Sequence, residues 1–184
     1  MAEAAAVSDN PTATMVAVVQ HNAGTDVEQN LSTLETLSTQ AASEGAQLVT
    51  WAEAFAYLGR HDGKRDILES LPEGGPILER CQRLARTLKC DLLLGGFHEA
   101  MPGDTERCYN TSVYLNSSGE ITAMYRKIHL FDVSIVNGPQ LMESKQTGPG
   151  DQAVCVETPL GTLGLTICYD CLLYTSPSPR DVRS

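Results

Sequence analysis

"MVAVVQHNAGTDVEQNLSTLETLSTQAASEGAQLVTW", residues 15–51, contains a whole unit of chain architecture. Met15 to Gln20 is a short β-branched run that reads as a buried strand. Thr25 followed by Glu28 has the spacing of a capping box, and Val27, Leu31, Leu34, Leu37 and Ala41 recur at helical intervals until Gly45 offers a stop. Gln47 to Trp51 then reads as a second strand. Strand, helix and strand in this order form a βαβ unit, whose crossover implies parallel pairing and places the chain in the α/β class.

The alternation continues outward from this unit. Pro76 marks a second helix start, with Ile77, Cys81, Leu84, Ala85 and Leu88 on one face, and it leads into the strand DLLLGGF, Asp91 to Phe97. Beyond it the pattern changes. YNTSVYLN, the turn SSGE and ITAMYRKIH predict one hairpin; AVCVETP, a turn at Leu160 and Gly161, and TLGLTICY predict another. Alternating βα units followed by hairpins predict a mixed sheet with helices on one face. No internal repeat, charge block or domain linker interrupts the chain. Residues 1–13 read as a disordered lead, and the Ser and Pro from Thr175 onward supply neither core bulk nor ladder donors.

Composition narrows the function. The 184 residues are 42% hydrophobic and 20% charged, which suits one globular domain of ordinary size. Thirteen Lys and Arg against 23 Asp and Glu give a net charge of -10, which repels phosphate backbones and anionic membranes, so neither nucleic acid nor membrane is an expected partner. No apolar run has membrane-spanning length, and the first 14 residues carry no Arg or Lys, unlike targeting segments, so the expected location is cytoplasmic. There the six cysteines are expected to be reduced thiols rather than a disulfide framework.

Three segments could carry chemistry. In TWAEAFAYLGR, Glu53 falls just past an apolar strand, where open α/β sheets present functional groups, and partial desolvation there would raise its pKa toward a general base's range. Taken alone, it reads more simply as a solvated loop acid. In YRKIHLFD, period-two alternation puts Tyr125, Lys127 and His129 on one face and Arg126, Ile128 and Leu130 on the other. If the first face lines a cleft, the ammonium could stabilise charge developing on a substrate oxygen; otherwise the lysine simply meets water. Cys168 ends the run GLTIC and would present its thiol at a strand terminus near Glu53. A free thiol with a pKa of about 8.5 needs a base or a cation beside it to act as nucleophile, and a buried structural cysteine is the simpler reading of the residue by itself.

Cys168 and Cys171 also form Cys-x-x-Cys, but no second closely spaced Cys or His pair completes a zinc site. A thioredoxin-like pair should open a helix after an early strand, whereas this one comes late and runs into Ser-Pro coil. GGP, PGD and GTLG are turn punctuation rather than a phosphate cradle. Neither a metal nor a nucleotide cofactor is expected.

W-A-E-A-F, Y-R-K-I-H-L-F-D and G-L-T-I-C-Y-D occur in this order, each after a strand signal, and together they resemble the nitrilase superfamily of carbon-nitrogen hydrolases, most closely its Nit branch of amidases. The resemblance spans about Thr14 to Asp170. It implies an α-β-β-α sandwich of two mixed sheets covered by helices, here in part: a lead at 1–13, a partial hydrolase domain at 14–170, and a non-native or disordered tail at 171–184. By the resemblance Glu53 is the general base, Lys127 the oxyanion-stabilising lysine and Cys168 the nucleophile. Glu143 in L-M-E-S-K matches a second glutamate that holds the lysine and substrate, with an ordinary loop carboxylate as its other reading.

The implied reaction is hydrolysis of a small carboxamide. Glu53 takes the thiol proton, the thiolate attacks the amide carbon, Lys127 and the backbone N-H of Tyr169 receive the oxyanion, ammonia departs, and water cleaves the thioester. No cofactor is needed. Deaminated glutathione and the ω-amides of 2-oxo acids are the substrates the branch suggests, and a homo-oligomer is its usual assembly. Family members continue Cys-Tyr-Asp with Leu or Met and Arg-Phe-Pro-Glu, whereas here Cys171 follows and the match ends. Lacking the later strands, the 184-residue chain alone is expected to be poorly soluble and inactive. A Cys-x-x-Cys redox or metal protein and a non-catalytic interaction module are the competing expectations.

Overall fold

The βαβ unit is present and begins the sheet. A computed structural model describes residues 14–136 and 138–172. The predicted lead at 1–13 and all but two residues of the predicted tail lie outside the described residues. β1 (Met15–Val19) pairs parallel with β2 (Ala46–Trp51) across helix α1 (Val27–Ser43). A short helix α2 (His61–Arg65) and a longer one, α3 (Pro76–Leu88), precede β3 (Asp91–Ala100), which continues the parallel pairing beside β2. β4 (Cys108–Leu115) and β5 (Ile121–Arg126) then add antiparallel, giving one mixed five-stranded sheet in the order β1-β2-β3-β4-β5. Two antiparallel ribbons follow: β6 (Asp132–Ser134) with β7 (Gln140–Met142), and β8 (Cys155–Thr158) with β9 (Gly161–Gly164).

The helix ends show how local chemistry set these elements. α1 is capped by Asp26, whose carboxylate accepts from the Gln29 N-H at 3.0 Å, and not by the predicted Thr25 and Glu28 box. With Val27 as the first helical residue, Glu28 stands one position too early to reach back to the cap, and it pairs instead with Arg80 of α3 at 2.6 Å. Gly45, at φ +101°, supplies the left-handed exit that its position predicted. The start of α3 has no local side-chain cap. The buried Glu69 accepts from the N-H groups of Ile77 (2.6 Å) and Leu78 (3.0 Å), serving as a cap from outside the helix.

Alternation along the strands divides the apolar residues into two cores. Val49, Leu92, Leu94 and Val113 face the helices and pack on Leu34, Leu78 and Cys81. Leu48, Leu93, Tyr114 and Tyr125 face the other way, onto Val156, Leu165 and Ile167 of the β8-β9 segment. Each fully buried Leu or Val contributes roughly 1.5–3 kcal/mol, so the two layers hold the sheet from both sides. The helices therefore cover one face, as expected. Among the described residues the layers are helices, sheet and ribbon; a further helical layer of the expected sandwich is not among them. None of the described helices is long and apolar enough to cross a membrane.

Two strands stop earlier than the sequence suggested. β5 ends at Arg126, because Lys127 still donates its N-H to Asn110 O at 2.8 Å while its carbonyl accepts from Gly150 N at 2.8 Å, so the chain changes partner there. Arg126 does leave on the face opposite Tyr125, paired with Glu99, but Ile128 packs in the same core as Tyr125, where alternation had placed it on the other face. β9 ends at Gly164, and Cys168 opens a 3₁₀ turn, Cys168–Leu172, rather than ending a strand.

Candidate active site

Glu53 sits in the turn after β2, held by what surrounds its backbone. Gly95 and Gly96 lie at a register shift in the β3-β4 pairing and let β3 pass against this turn. A Cβ at residue 95 would fall 2.1 Å from Trp51 O, and one at 96 would fall 3.0 Å from Glu53 Cα. Such a close approach leaves no room for a side chain. From β4, Asn110 donates its Nδ2 to Glu53 Oε1 at 2.7 Å.

Lys127 follows β5 and its side chain is only 2% exposed. Its Nζ donates to both carboxylate oxygens of Glu143, at 3.1 and 2.9 Å, and lies 3.5 Å from Glu53 Oε1. Burial by itself would lower the pKa of this amine. The hydrogen bond to Glu143 and the charges of Glu53 and Glu143 outweigh that effect and hold it above the ordinary lysine value. Glu143 begins a 3₁₀ turn directly after β7, and its Oε2 also accepts from the Phe131 N-H at 2.6 Å. The β6-β7 ribbon, which sequence reading missed, thus delivers the second acid to the lysine.

Cys168 completes the group at φ +49°, a left-handed conformation unusual for a residue with a side chain. Although the residue is exposed, desolvation is the largest influence raising its thiol pKa. The Glu53 charge and a hydrogen bond from the thiol to Glu53 raise it further, while Lys127 and the Tyr169 N-H act against them. The thiol therefore favours its protonated form, in a cavity that it shares with a carboxylate and a cation. The Tyr169 ring packs edge-on against Phe131, centroids 5.1 Å apart.

Glu53, Lys127, Glu143 and Cys168 line one cavity of about 620 Å³, whose wall continues through Phe131, Met142 and Lys145. Its size suits a small organic ligand. The arrangement can deprotonate a thiol in place and offer donors to an oxygen that becomes negative. The four side chains that the resemblance singled out meet here. Asn110 and Asp170 were missed: Asn110 as a polar residue interrupting an apolar strand gave a faint signal, and Asp170 gave none beyond its place beside Cys168. Cys168 and Cys171 share the 3₁₀ turn with free thiols, and among the described residues no cluster of three or more His, Cys, Asp or Glu forms a metal-binding arrangement.

A sequence profile described as carbon-nitrogen hydrolase matches residues 15–175. The chain is 42% identical over 159 residues to the human protein named deaminated glutathione amidase, covering 85% of this chain and 48% of that one. The crystal structure of the Caenorhabditis elegans NitFhit protein superposes with a TM-score of 0.79 at 32% identity, covering 86% of this chain and 38% of the other. Saccharomyces cerevisiae Nit3, described as a member of branch 10 of the nitrilase superfamily, gives a TM-score of 0.73 at 29% identity, covering 86% and 56%. The chain spans about half the length of the curated amidase relatives it matches.

Proposed function

The chain belongs to the carbon-nitrogen hydrolase family, and from that premise we propose that the whole protein carrying it hydrolyses a non-peptide carbon-nitrogen bond of a small carboxamide through a thioester on Cys168. The observation that carries the proposal is the meeting of Glu53, Lys127, Glu143 and Cys168 on one cavity. In it, residues 14–170 contribute the reacting groups, and the chemistry needs no metal or organic cofactor.

Glu53 accepts the thiol proton as sulfur bonds to the amide carbon, and the carbonyl oxygen becomes an oxyanion facing Lys127 and the Tyr169 N-H. Collapse of this intermediate breaks the C-N bond while Glu53 returns the proton to the departing nitrogen. A water molecule, deprotonated by Glu53, then attacks the thioester; the acid leaves and Cys168 recovers its proton. Glu143 keeps Lys127 charged and aimed throughout. A positioned base contributes about 10²- to 10⁴-fold and an oxyanion donor about 10²- to 10³-fold, so each group is expected to be indispensable.

The similarity to proteins named deaminated glutathione amidase supports that compound as substrate. Lys145 on the cavity wall supports an acyl group bearing a carboxylate, which the ω-amides of 2-oxo acids share. The test is hydrolysis of a panel containing deaminated glutathione, 2-oxo-acid ω-amides and uncharged amides, with Cys168→Ala as control. Preferred cleavage of deaminated glutathione that vanishes in the variant is the expected result. Preference for the ω-amides would reassign the substrate, and cleavage of none would refute the proposal.

A further inference from the structure

The nucleophile's turn and the lysine's segment are joined by one side chain that touches no reacting bond. Asp170 is almost completely buried, and its carboxylate accepts four hydrogen bonds. Oδ2 takes the Tyr125 hydroxyl at 2.6 Å and the Ile167 N-H at 3.0 Å. Oδ1 takes the His129 N-H at 2.9 Å and His129 Nδ1 at 2.8 Å, so the proton of that ring stands on Nδ1.

We propose that Asp170 is a positioning residue that fixes Cys168 in its left-handed conformation and sets its place opposite Lys127. The inference deepens the reading of Cys168 as nucleophile and rests on it. Three of the four bonds come from Tyr125 and His129, two positions before and two positions after Lys127, and the Tyr125 hydroxyl further accepts from Ile128 N-H at 3.3 Å. On the other side, Ile167 N-H donates to the carboxylate and Asp170 N-H donates to Ile167 O at 3.1 Å, closing the turn around Cys168 from both ends. A non-glycine residue at φ +49° persists only where its surroundings over-determine it, and this double closure does so. The carboxylate suits this role because it stays ionised: burial would raise its pKa, but the hydrogen bonds from Tyr125, Ile167 and His129 overcome that and lower it.

The test measures the rate of Cys168 alkylation by iodoacetamide against pH, with the modified peptide identified by mass spectrometry, in the unmodified chain, Glu53→Gln, Asp170→Asn and the double variant. Glu53→Gln is expected to lower the apparent pKa of the thiol in the unmodified background. In Asp170→Asn the thiol is expected to titrate like free cysteine, near about 8.5, and adding Glu53→Gln should then shift nothing. A folded Asp170→Asn protein that keeps the original profile and the full Glu53→Gln shift would overturn the inference. Should that variant fail to fold, Tyr125→Phe removes one of the four bonds to the carboxylate, together with the longer one from Ile128 N-H: a reduced Glu53→Gln shift supports the inference and an undiminished one overturns it. Alkylation needs no turnover, so an absence of amidase activity would defeat the proposed function and leave this result readable.

Discussion

Nζ of Lys127 lies 3.5 Å from Oε1 of Glu53, while Glu143 holds the same ammonium at 2.9 Å. The closer acid helps hold the lysine above its ordinary pKa, and in the proposed mechanism the more distant one accepts the proton of Cys168. Two carboxylates can share this small space only because the cation lies between them. Lys127→Met is therefore expected to lower kcat by at least about 10²- to 10³-fold, with a smaller change in KM. Lys127→Arg should not restore it, because the planar guanidinium does not fit a pocket in which the side chain is 2% exposed. Steady-state kinetics on the whole protein, with circular dichroism to verify folding, checks both.

Asn110 serves the same pair through different atoms. Its side chain donates to Glu53 at 2.7 Å and its carbonyl accepts the Lys127 N-H at 2.8 Å. Asn110→Leu removes only the first of these. A hydrogen bond to a charged group contributes about 1.5–3 kcal/mol, so kcat/KM is expected to fall by about 10- to 150-fold while the fold survives. An unchanged kcat/KM would show that Glu53 needs no such support.

The thiol should reveal its neighbours by titration. Cys168 is raised above an ordinary cysteine, so its alkylation rate is expected to climb at higher pH than that of a free thiol. Glu53 raises this pKa and Lys127 lowers it, so Glu53→Gln moves the profile to lower pH and Lys127→Met moves it to higher pH. Profiles shifting together, or in the opposite senses, would contradict the geometry.

Gly95 makes a separate demand on the backbone. Its missing Cβ would lie 2.1 Å from Trp51 O, an atom that cannot swing aside. Gly95→Ala is expected to destabilise the protein by about 1–3 kcal/mol, read from urea unfolding.

Much of this arrangement was legible in the sequence for a definite reason. Val27, Leu31 and Leu34 repeat at the helical period and Leu92 to Leu94 form a short apolar run ended by glycines, so each reports its own element regardless of what packs on it. Glu53, Lys127 and Cys168 were readable as a set through resemblance rather than periodicity. The ends of elements were less legible. Arg126 ends its strand because the backbone changes partner, a tertiary event that leaves no local mark. Glu69 caps α3 from outside it and had no motif to announce it, and Asp170, although it closes the Cys168 motif, joins segments far apart in sequence, a role the motif does not reveal. Asp26 was overlooked because the Thr25 and Glu28 spacing imitates a cap one residue earlier.

In the proposed reaction Cys168 carries the acyl group between two half-reactions. Rapidly quenching the whole protein during turnover of its amide and mapping the adduct by peptide mass spectrometry tests this most directly. The acyl group is expected on the peptide containing Cys168, with no adduct or turnover in Cys168→Ala. An acyl group on another residue, or turnover that persists in the alanine variant, would contradict it.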